Sequence, residues 1–255
     1  QTGATTTQSQ TATSPRVGVV YEASALYTLY ASYSEGFRPN SGADFQGNSF
    51  DPEESKSYEA GVKFNTINES ITGTVALFRA EKSNVLTADP VNAGFSAALG
   101  EAESQGLEVD LNAMLGEDTM VTVAYAFVDA ETSNSVINAD WGVEVPAGTP
   151  LVNIPENKLN VTAIHYLDIG GKESKLGASV TYVDERSGEF IDPDYVLPSY
   201  TNVRLFGSVN LTDSLSINAD IENLFDKEYY ASSYSAMWTM PGAPRQAKVS
   251  VKYAF

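Results

Sequence analysis

The sequence predicts an all-β protein: an antiparallel transmembrane β-barrel wall, with about eleven strands in these residues. Three observations carry this. Apolar and polar residues alternate with period 2 over segment after segment. The connections between those segments alternate short and long, as in outer-membrane barrels and unlike β-sandwiches, which mix lengths at both ends. No apolar run approaches the roughly 18 residues of a membrane helix.

The strands are expected at Ser14–Tyr21, Ala25–Ser34, Lys56–Thr66, Ser70–Lys82, Ala98–Ala113 and Asp118–Glu131. They continue at Glu156–Leu167, Ser174–Ser187, Tyr200–Leu211, Ser214–Phe225 and Pro244–Phe255. Most exceed the five or six residues usual in soluble sheets and are long enough to cross a bilayer at a tilt. Faces separate well where alternation is strict. Leu107, Val109 and Leu111 oppose Glu108, Asp110 and Asn112, and Leu215, Ile217, Ala219 and Ile221 oppose Ser216, Asn218, Asp220 and Glu222. Tyr58, Ala60, Val62 and Phe64 oppose Glu59, Gly61, Lys63 and Asn65 in the same way. Tight turns fall at Glu22–Ser24, Ile67–Glu69, Leu115–Glu117, Asp168–Glu173 and Thr212–Asp213. The long loops are Gly36–Ser55, Ser83–Ala97, Thr132–Pro155, Gly188–Ser199 and Asp226–Ala243. The last strand then runs down to the short-turn, periplasmic side, where Tyr253 and Phe255 join an aromatic girdle.

Composition narrows the function classes. The 255 residues carry 33 Asp+Glu against 15 Lys+Arg, a net charge of -18, which argues against nucleic acid as a partner. The 14 Tyr, 11 Phe and 2 Trp suit membrane interfaces, or a carbohydrate-binding sandwich. With no cysteine there is neither a disulfide framework nor a thiolate site. The polar opening Gln1-Thr2-Gly3-Ala4-Thr5 has no apolar core of a signal peptide.

Several segments, in order, resemble TonB-dependent outer-membrane receptors of the siderophore (ferrichrome-type) group. They are SPRVGVVYEAS (14–24), LYTLYASYSEGFRPNSG (26–42), FDPEESKSYEAGVKF (50–64), ALFRAEKSNVLTADP (76–90) and ALGEAESQGLEVDL (98–111), followed by YVDERSGEF (182–190), LPSYTNV (197–203), NLFDKEYYAS (223–232) and GAPRQAKVSVKYAF (242–255). The resemblance implies a 22-stranded barrel holding an N-terminal plug, with a coupling segment pulled by the TonB complex. No plug is recognised in this sequence, and an odd strand number does not close a single-chain bacterial barrel. The expectation is therefore the C-terminal part of the barrel at 14–255, with 1–13 the remnant of an extracellular loop. The implied transported ligand is a ferric siderophore, with no resident cofactor. The implied partners are TonB, outer-membrane lipid and the barrel-assembly machinery, which reads a terminal aromatic such as Phe255.

No catalytic constellation emerges. His165 is the single histidine, mid-strand, and is read as structural; Gly170-Gly171-Lys172 is a turn, lacking the remainder of a phosphate-loop motif. The loop acids Asp44, Asp51, Glu53, Glu54, Asp89, Asp192 and Asp194 do not match calcium-loop spacing and read as solvated surface, so no metal site is expected. The inward charges Glu59, Lys63, Glu108, Asp110, Arg204, Asp220, Glu222, Lys248 and Lys252 read as cross-strand ion pairs of a wet lumen. Ligand-binding candidates are the rim residues Phe37, Arg38, Trp141, Tyr195, Tyr230, Tyr234 and Trp238. Aromatic faces with a few donors grip a bulky chelate without ligating its metal. Each has an alternative as girdle or loop-packing residue, and a passive porin-like barrel is the competing function.

Overall fold

The computed structural model describes residues 11–138, 142–190, 192 and 194–255. Eleven strands form one continuous antiparallel wall in sequence order. They are β1 (Arg16–Glu22), β2 (Tyr27–Arg38), β3 (Glu53–Asn65), β4 (Ile71–Ala88), β5 (Ser96–Leu115), β6 (Thr119–Thr132), β9 (Asn157–Asp168), β10 (Glu173–Val183), β13 (Tyr200–Asn210), β14 (Leu215–Glu222) and β17 (Gln246–Tyr253). Six short strands lie in the long loops. β7 (Val136–Ile137) and β8 (Glu144–Val145) pair with each other, as do β11 (Arg186–Ser187) with β12 (Val196–Leu197) and β15 (Tyr230–Ser235) with β16 (Trp238–Pro241). Among the described residues the wall is open, with β1 and β17 at its edges.

Register sorts the side chains onto two faces, because a residue and its cross-strand partner share a side of the pleat. Tyr253, Val251, Val249 and Ala247 of β17 pair with Leu215, Ile217, Ala219 and Ile221 of β14. Lys252, Ser250, Lys248 and Gln246 pair with Ser216, Asn218, Asp220 and Glu222. The apolar face continues along the wall through Val75, Val62 and Val109, then Val123, Val161 and Val180. Val249 remains 71% exposed and Leu77 63%, so this face packs on nothing among the described residues. It is the face toward lipid.

The apolar band ends at both levels in aromatics. Tyr33 and Tyr58 meet near the long loops with ring centroids 5.0 Å apart, and Tyr27 pairs with Phe64 near the short turns. Just beyond Tyr58 the same face turns ionic: Arg79 Nη2 and Nε reach Glu103 at 2.7 Å and Glu81 at 3.0 Å. That change marks where hydrocarbon gives way to water and headgroups.

The inner face is polar, and three of its aromatics each lie over a cross-strand glycine. Tyr30 faces Gly61, Phe78 faces Gly106 and Phe206 faces Gly177. A Cβ on Gly61 would sit 2.7 Å from the Tyr30 ring, and one on Gly177 2.4 Å from the Phe206 ring. The rings thus cover backbone that would otherwise be bare, a known way to stabilise glycine in a sheet. The inward charges are as expected in position, but their pairing is more varied. Arg204 and Asp220 form an ion pair, and Arg204 lies 4.9 Å over the Phe206 ring. Glu59 instead accepts from the Tyr30 hydroxyl at 2.6 Å, and Lys63 sits 5.5 Å over the same ring. His165 lies on the outer face near the short turns, its Nδ1 2.9 Å from the Thr119 hydroxyl.

Several boundaries differ from expectation. The segment read as Ser174–Ser187 stops at Val183; Arg186 and Ser187 belong to the separate hairpin β11–β12. The strand expected to reach Phe225 ends at Glu222, because Asn223 adopts φ 49°. β3, β4 and β5 run further toward the long loops than their alternation indicates. Asn84, at φ 58°, lies inside a register shift between Lys82 and Val85, past which pairing resumes.

Candidate functional site

Among the described residues the buried apolar side chains, apart from Ala76 within β4, lie under the long loops: Phe50, Val145 and Leu197 come from the loops, and Ala130 and Val183 from strand ends. Loop and strand backbones here are fixed mainly by polar side chains. Asn40 Nδ2 donates to the carbonyls of Asp51 and Asn84, both at 2.8 Å, and Asn84 Nδ2 returns to Pro52 O at 2.9 Å. Asp44 caps its own turn, accepting from the amides of Gln46 at 2.9 Å and Asn48 at 2.8 Å. The backbone and side-chain donors of Asn48, with Gln46 and Gly47, hold the Asp44 carboxyl below its ordinary pKa. Asp89 is lowered in the same way by Asn92 and Val91. Asp184, just past β10, accepts from Asn157 Nδ2 at 2.8 Å and from the Tyr182 hydroxyl at 2.9 Å, which lower its pKa.

The NLFDKEYY segment has a mechanical explanation. Asn223 is 2% exposed; its Oδ1 accepts from Lys227 N at 2.8 Å, while Nδ2 donates to Lys227 O and Ala243 O. Asp226 Oδ1 then accepts from Arg245 N at 2.8 Å, so the PRQ stretch opening β17 is tied to the end of β14. Tyr229 stacks on Tyr200 with centroids 4.3 Å apart and covers Gly242, where a Cβ would meet the ring at 2.2 Å.

From this base rises the hairpin β15–β16, which joins two neighbouring loops. Asn153 and Ser233 exchange two hydrogen bonds, at 2.7 and 2.8 Å. Glu189 Oε2 accepts from Ala236 N at 2.8 Å, and the hydroxyls of Tyr195 and Thr239 are bonded. Arg186 Nη2 donates to the carbonyls of Tyr230 and Ala231, at 2.8 and 3.0 Å. The hairpin's amphipathicity is inverted. Ser233 and Ser235 are buried against the loops, whereas Tyr234, Met237, Trp238 and Met240 are exposed. Tyr234 and Trp238 lie 6.0 Å apart between centroids.

The sequence candidates therefore separate. Tyr230, Tyr234 and Trp238 come together on one hairpin. Tyr195 packs against Gly188 and bonds Thr239, a joint between loops. Arg38 is on the inner face, where Glu53 accepts from it at 2.8 Å and from Lys82 at 3.2 Å; the Glu53 side chain is only 8% exposed. Phe37 pairs with Glu54 and shares the outer face with Tyr33. Trp141 lies outside the described residues. Sequence reasoning missed Asn153, Arg186, Glu189 and Asn223. For the last three the available signal was the quoted segments YVDERSGEF and NLFDKEYYAS, whose polar residues have no place in a simple two-faced strand.

Among the described residues no group of three His, Cys, Asp or Glu side chains is arranged to hold a metal ion. The hairpin presents aromatic faces and thioethers to the outside, with scattered polar groups beside them.

Residues 1–224 match the family described as TonB dependent receptor-like, beta-barrel. The metal-pseudopaline receptor CntO of Pseudomonas aeruginosa is 37% identical over 96% of this chain, and the ferrichrome outer membrane transporter/phage receptor of Escherichia coli K12 is 30% identical over 94%. The chain spans about a third of each, 34% and 32% of their lengths. Among solved structures, the siderophore receptor PiuA from Acinetobacter baumannii superposes with TM-score 0.80 at 21% identity, over 93% of this chain and 35% of that one. The ferric preacinetobactin receptor BauA from the same species gives TM-score 0.79 at 21% identity, over 95% and 36%. With the family match covering residues 1–224, the chain belongs to the TonB-dependent receptor β-barrel family.

Proposed function

We propose that these residues form part of an outer-membrane receptor that takes up ferric siderophores, or closely related metal chelates, by TonB-coupled active transport. The family match over residues 1–224 carries the reading. The ferrichrome and metal-pseudopaline receptors among the relatives support a chelate as cargo. In this proposal Tyr230, Tyr234 and Trp238 contact the chelate at the extracellular end. Arg38 faces the lumen near the rim, Tyr195 braces the hairpin, and Phe37 belongs to the outer rim. Trp141 joins the proposal from its place between β7 and β8 in sequence. Residues 14–255 act as wall, and 1–13 belong to an extracellular loop.

The partners follow from the faces. Lipid covers the outer apolar band, and the barrel-assembly machinery reads Tyr253 and Phe255, both exposed at the end of β17. The TonB complex engages a segment outside the wall. A passive porin-like barrel is disfavoured by the hairpin itself, since diffusion needs no pre-assembled aromatic surface. The test is growth rescue of an iron-starved, receptor-deficient strain by the full-length gene on a panel of ferric siderophores and metal–pseudopaline. Rescue should depend on TonB. Rescue that persists without TonB sinks active transport in favour of diffusion.

A further inference from the structure

The YVDERSGEF segment contains a side chain that neither wall nor ligand reading uses. Arg186 is 5% exposed, yet no carboxylate lies within ion-pairing distance of it among the described residues. Nη2 donates to Tyr230 O and Ala231 O, the guanidinium lies 5.7 Å over the Tyr200 ring, and buried Nη1 finds no acceptor among the described residues. Burying a guanidinium without a counter-charge is costly, and an apolar side chain of similar volume generally stabilises such a position as well or better. Stability alone therefore does not account for an arginine here. Geometry does: the two N–H groups of Nη2, fixed in the guanidinium plane, reach successive carbonyls at the first residues of β15, while the guanidinium face rests on Tyr200, which stacks on Tyr229.

We propose that Arg186 is the positioning residue of the extracellular site, pinning the hairpin Tyr230–Pro241 to the loop after β10 so that Tyr230, Tyr234 and Trp238 are held in place before any ligand arrives. The pin acts with two further ties along the hairpin, Asn153 to Ser233 and Glu189 to Ala236. Pre-assembly matters because ordering a mobile hairpin on binding subtracts from affinity. That the site binds a chelate rests on the transport proposal; that the hairpin is pinned does not.

The experiment uses the full-length receptor without ligand. Hydrogen exchange is followed at the amides of Ser233 and Ala236, together with acrylamide quenching of Trp238 and thermal unfolding of the barrel. Arg186→Met should leave barrel unfolding and exchange in the loop 39–52 unchanged. It should speed exchange at Ser233 and Ala236 on the order of tenfold or more, the scale of a lost charge-assisted hydrogen bond, and make Trp238 more quenchable. Arg186→Lys, which keeps the charge but not the planar donor group or its face on Tyr200, should fall between. Unchanged hairpin protection in Arg186→Met overturns the proposal. So does a uniform rise in exchange across all loops, or failure of both variants to assemble, since either makes Arg186 a general structural residue. These readouts need no chelate, so the pin can fail while the transport reading stands, and the reverse.

Discussion

Along β17 the exposed Val249 and Val251 alternate with polar side chains that face the lumen; along β15–β16 the exposed Tyr234 and Trp238 alternate with serines that are buried. Both regions turn apolar groups outward, and the surroundings separate them. The β17 valines belong to a band bounded by Tyr33 and Tyr58 above and by Tyr27, Phe64 and Tyr253 below, so hydrocarbon is their solvent. The hairpin lies beyond the ends of β14 and β17, on the side of the Arg79–Glu81–Glu103 belt. There water, not hydrocarbon, is the solvent of the exposed apolar side chains. The same exposure therefore means lipid in one place and, in the proposal, a binding surface in the other.

The sharpest way to break this comparison is to put a charge on each face of the wall. Val75 pairs with Val62 and Val109 on the outer face, midway between the aromatic levels. Its neighbour Thr74 points inward between Lys63 and Asp110. Val75→Arg should cost about 2–4 kcal/mol of barrel stability, the range for a cation at mid-membrane depth. Thr74→Arg should cost much less, because the lumen is wet and Asp110 is at hand. Urea unfolding of the full-length receptor in bilayers measures both, and equal tolerance would refute the assigned orientation.

The alternation that makes this prediction possible is also why the wall was legible in the sequence. In β5, Leu107 to Asn112 states its two faces outright, and register leaves such a strand one way to sit. The crown obeys other rules. Its short strands are two to six residues long, too short for a periodic signal, and β15 inverts the usual pattern by burying Ser233 and Ser235. The strand over-read past Val183 shows the limit: Asp184 to Ser187 continues the polarity of β10, but Asp184 is captured by Asn157 and Tyr182 and the chain turns away. Contacts of this kind link residues far apart in sequence, so local pattern cannot reveal them. Of the aromatic candidates, the three on one hairpin were foreseeable as loop residues, while their attachment through Arg186 and Asn153 was not.

Removing a crown anchor should have the next largest effect. Asn223→Ala strips two backbone carbonyls and one amide of their partner at a buried position and forces alanine into φ 49°. A local loss of about 1–3 kcal/mol is expected. It should be visible as faster proteolysis between Asp226 and Arg245 while the wall unfolds as before. Loss of wall stability instead would show that crown and wall are not separate units.

A smaller change tests the binding face. Trp238→Ala should weaken chelate binding by about 0.5–1.5 kcal/mol, the increment of one aromatic contact, without altering assembly. The measurement is the uptake Kd for whichever chelate rescues growth. Unchanged uptake alongside normal outer-membrane levels would return Trp238 to a loop-packing role.

The smallest effect concerns acid. Asp44 is half-buried, and its carboxylate is held below the ordinary carboxyl range chiefly by the backbone and side chain of Asn48, then by Gln46 and Gly47. A depressed pKa in the folded loop means that the ionised form is the one the turn favours. The contribution is therefore complete above the unfolded carboxyl pKa and is lost as pH falls through the lowered folded value, with no change expected around neutrality. Exchange protection at the Gln46 and Asn48 amides should decline only in that acidic window. Asp44→Asn should abolish the pH dependence while keeping part of the protection, because an amide oxygen still accepts from both amides. The wall's lumenal Arg204–Asp220 pair, anchored in two strands, should keep its cross-strand register throughout. A midpoint near neutral pH, or simultaneous loss of wall protection, would mean that something other than this one carboxylate holds the 44–48 turn.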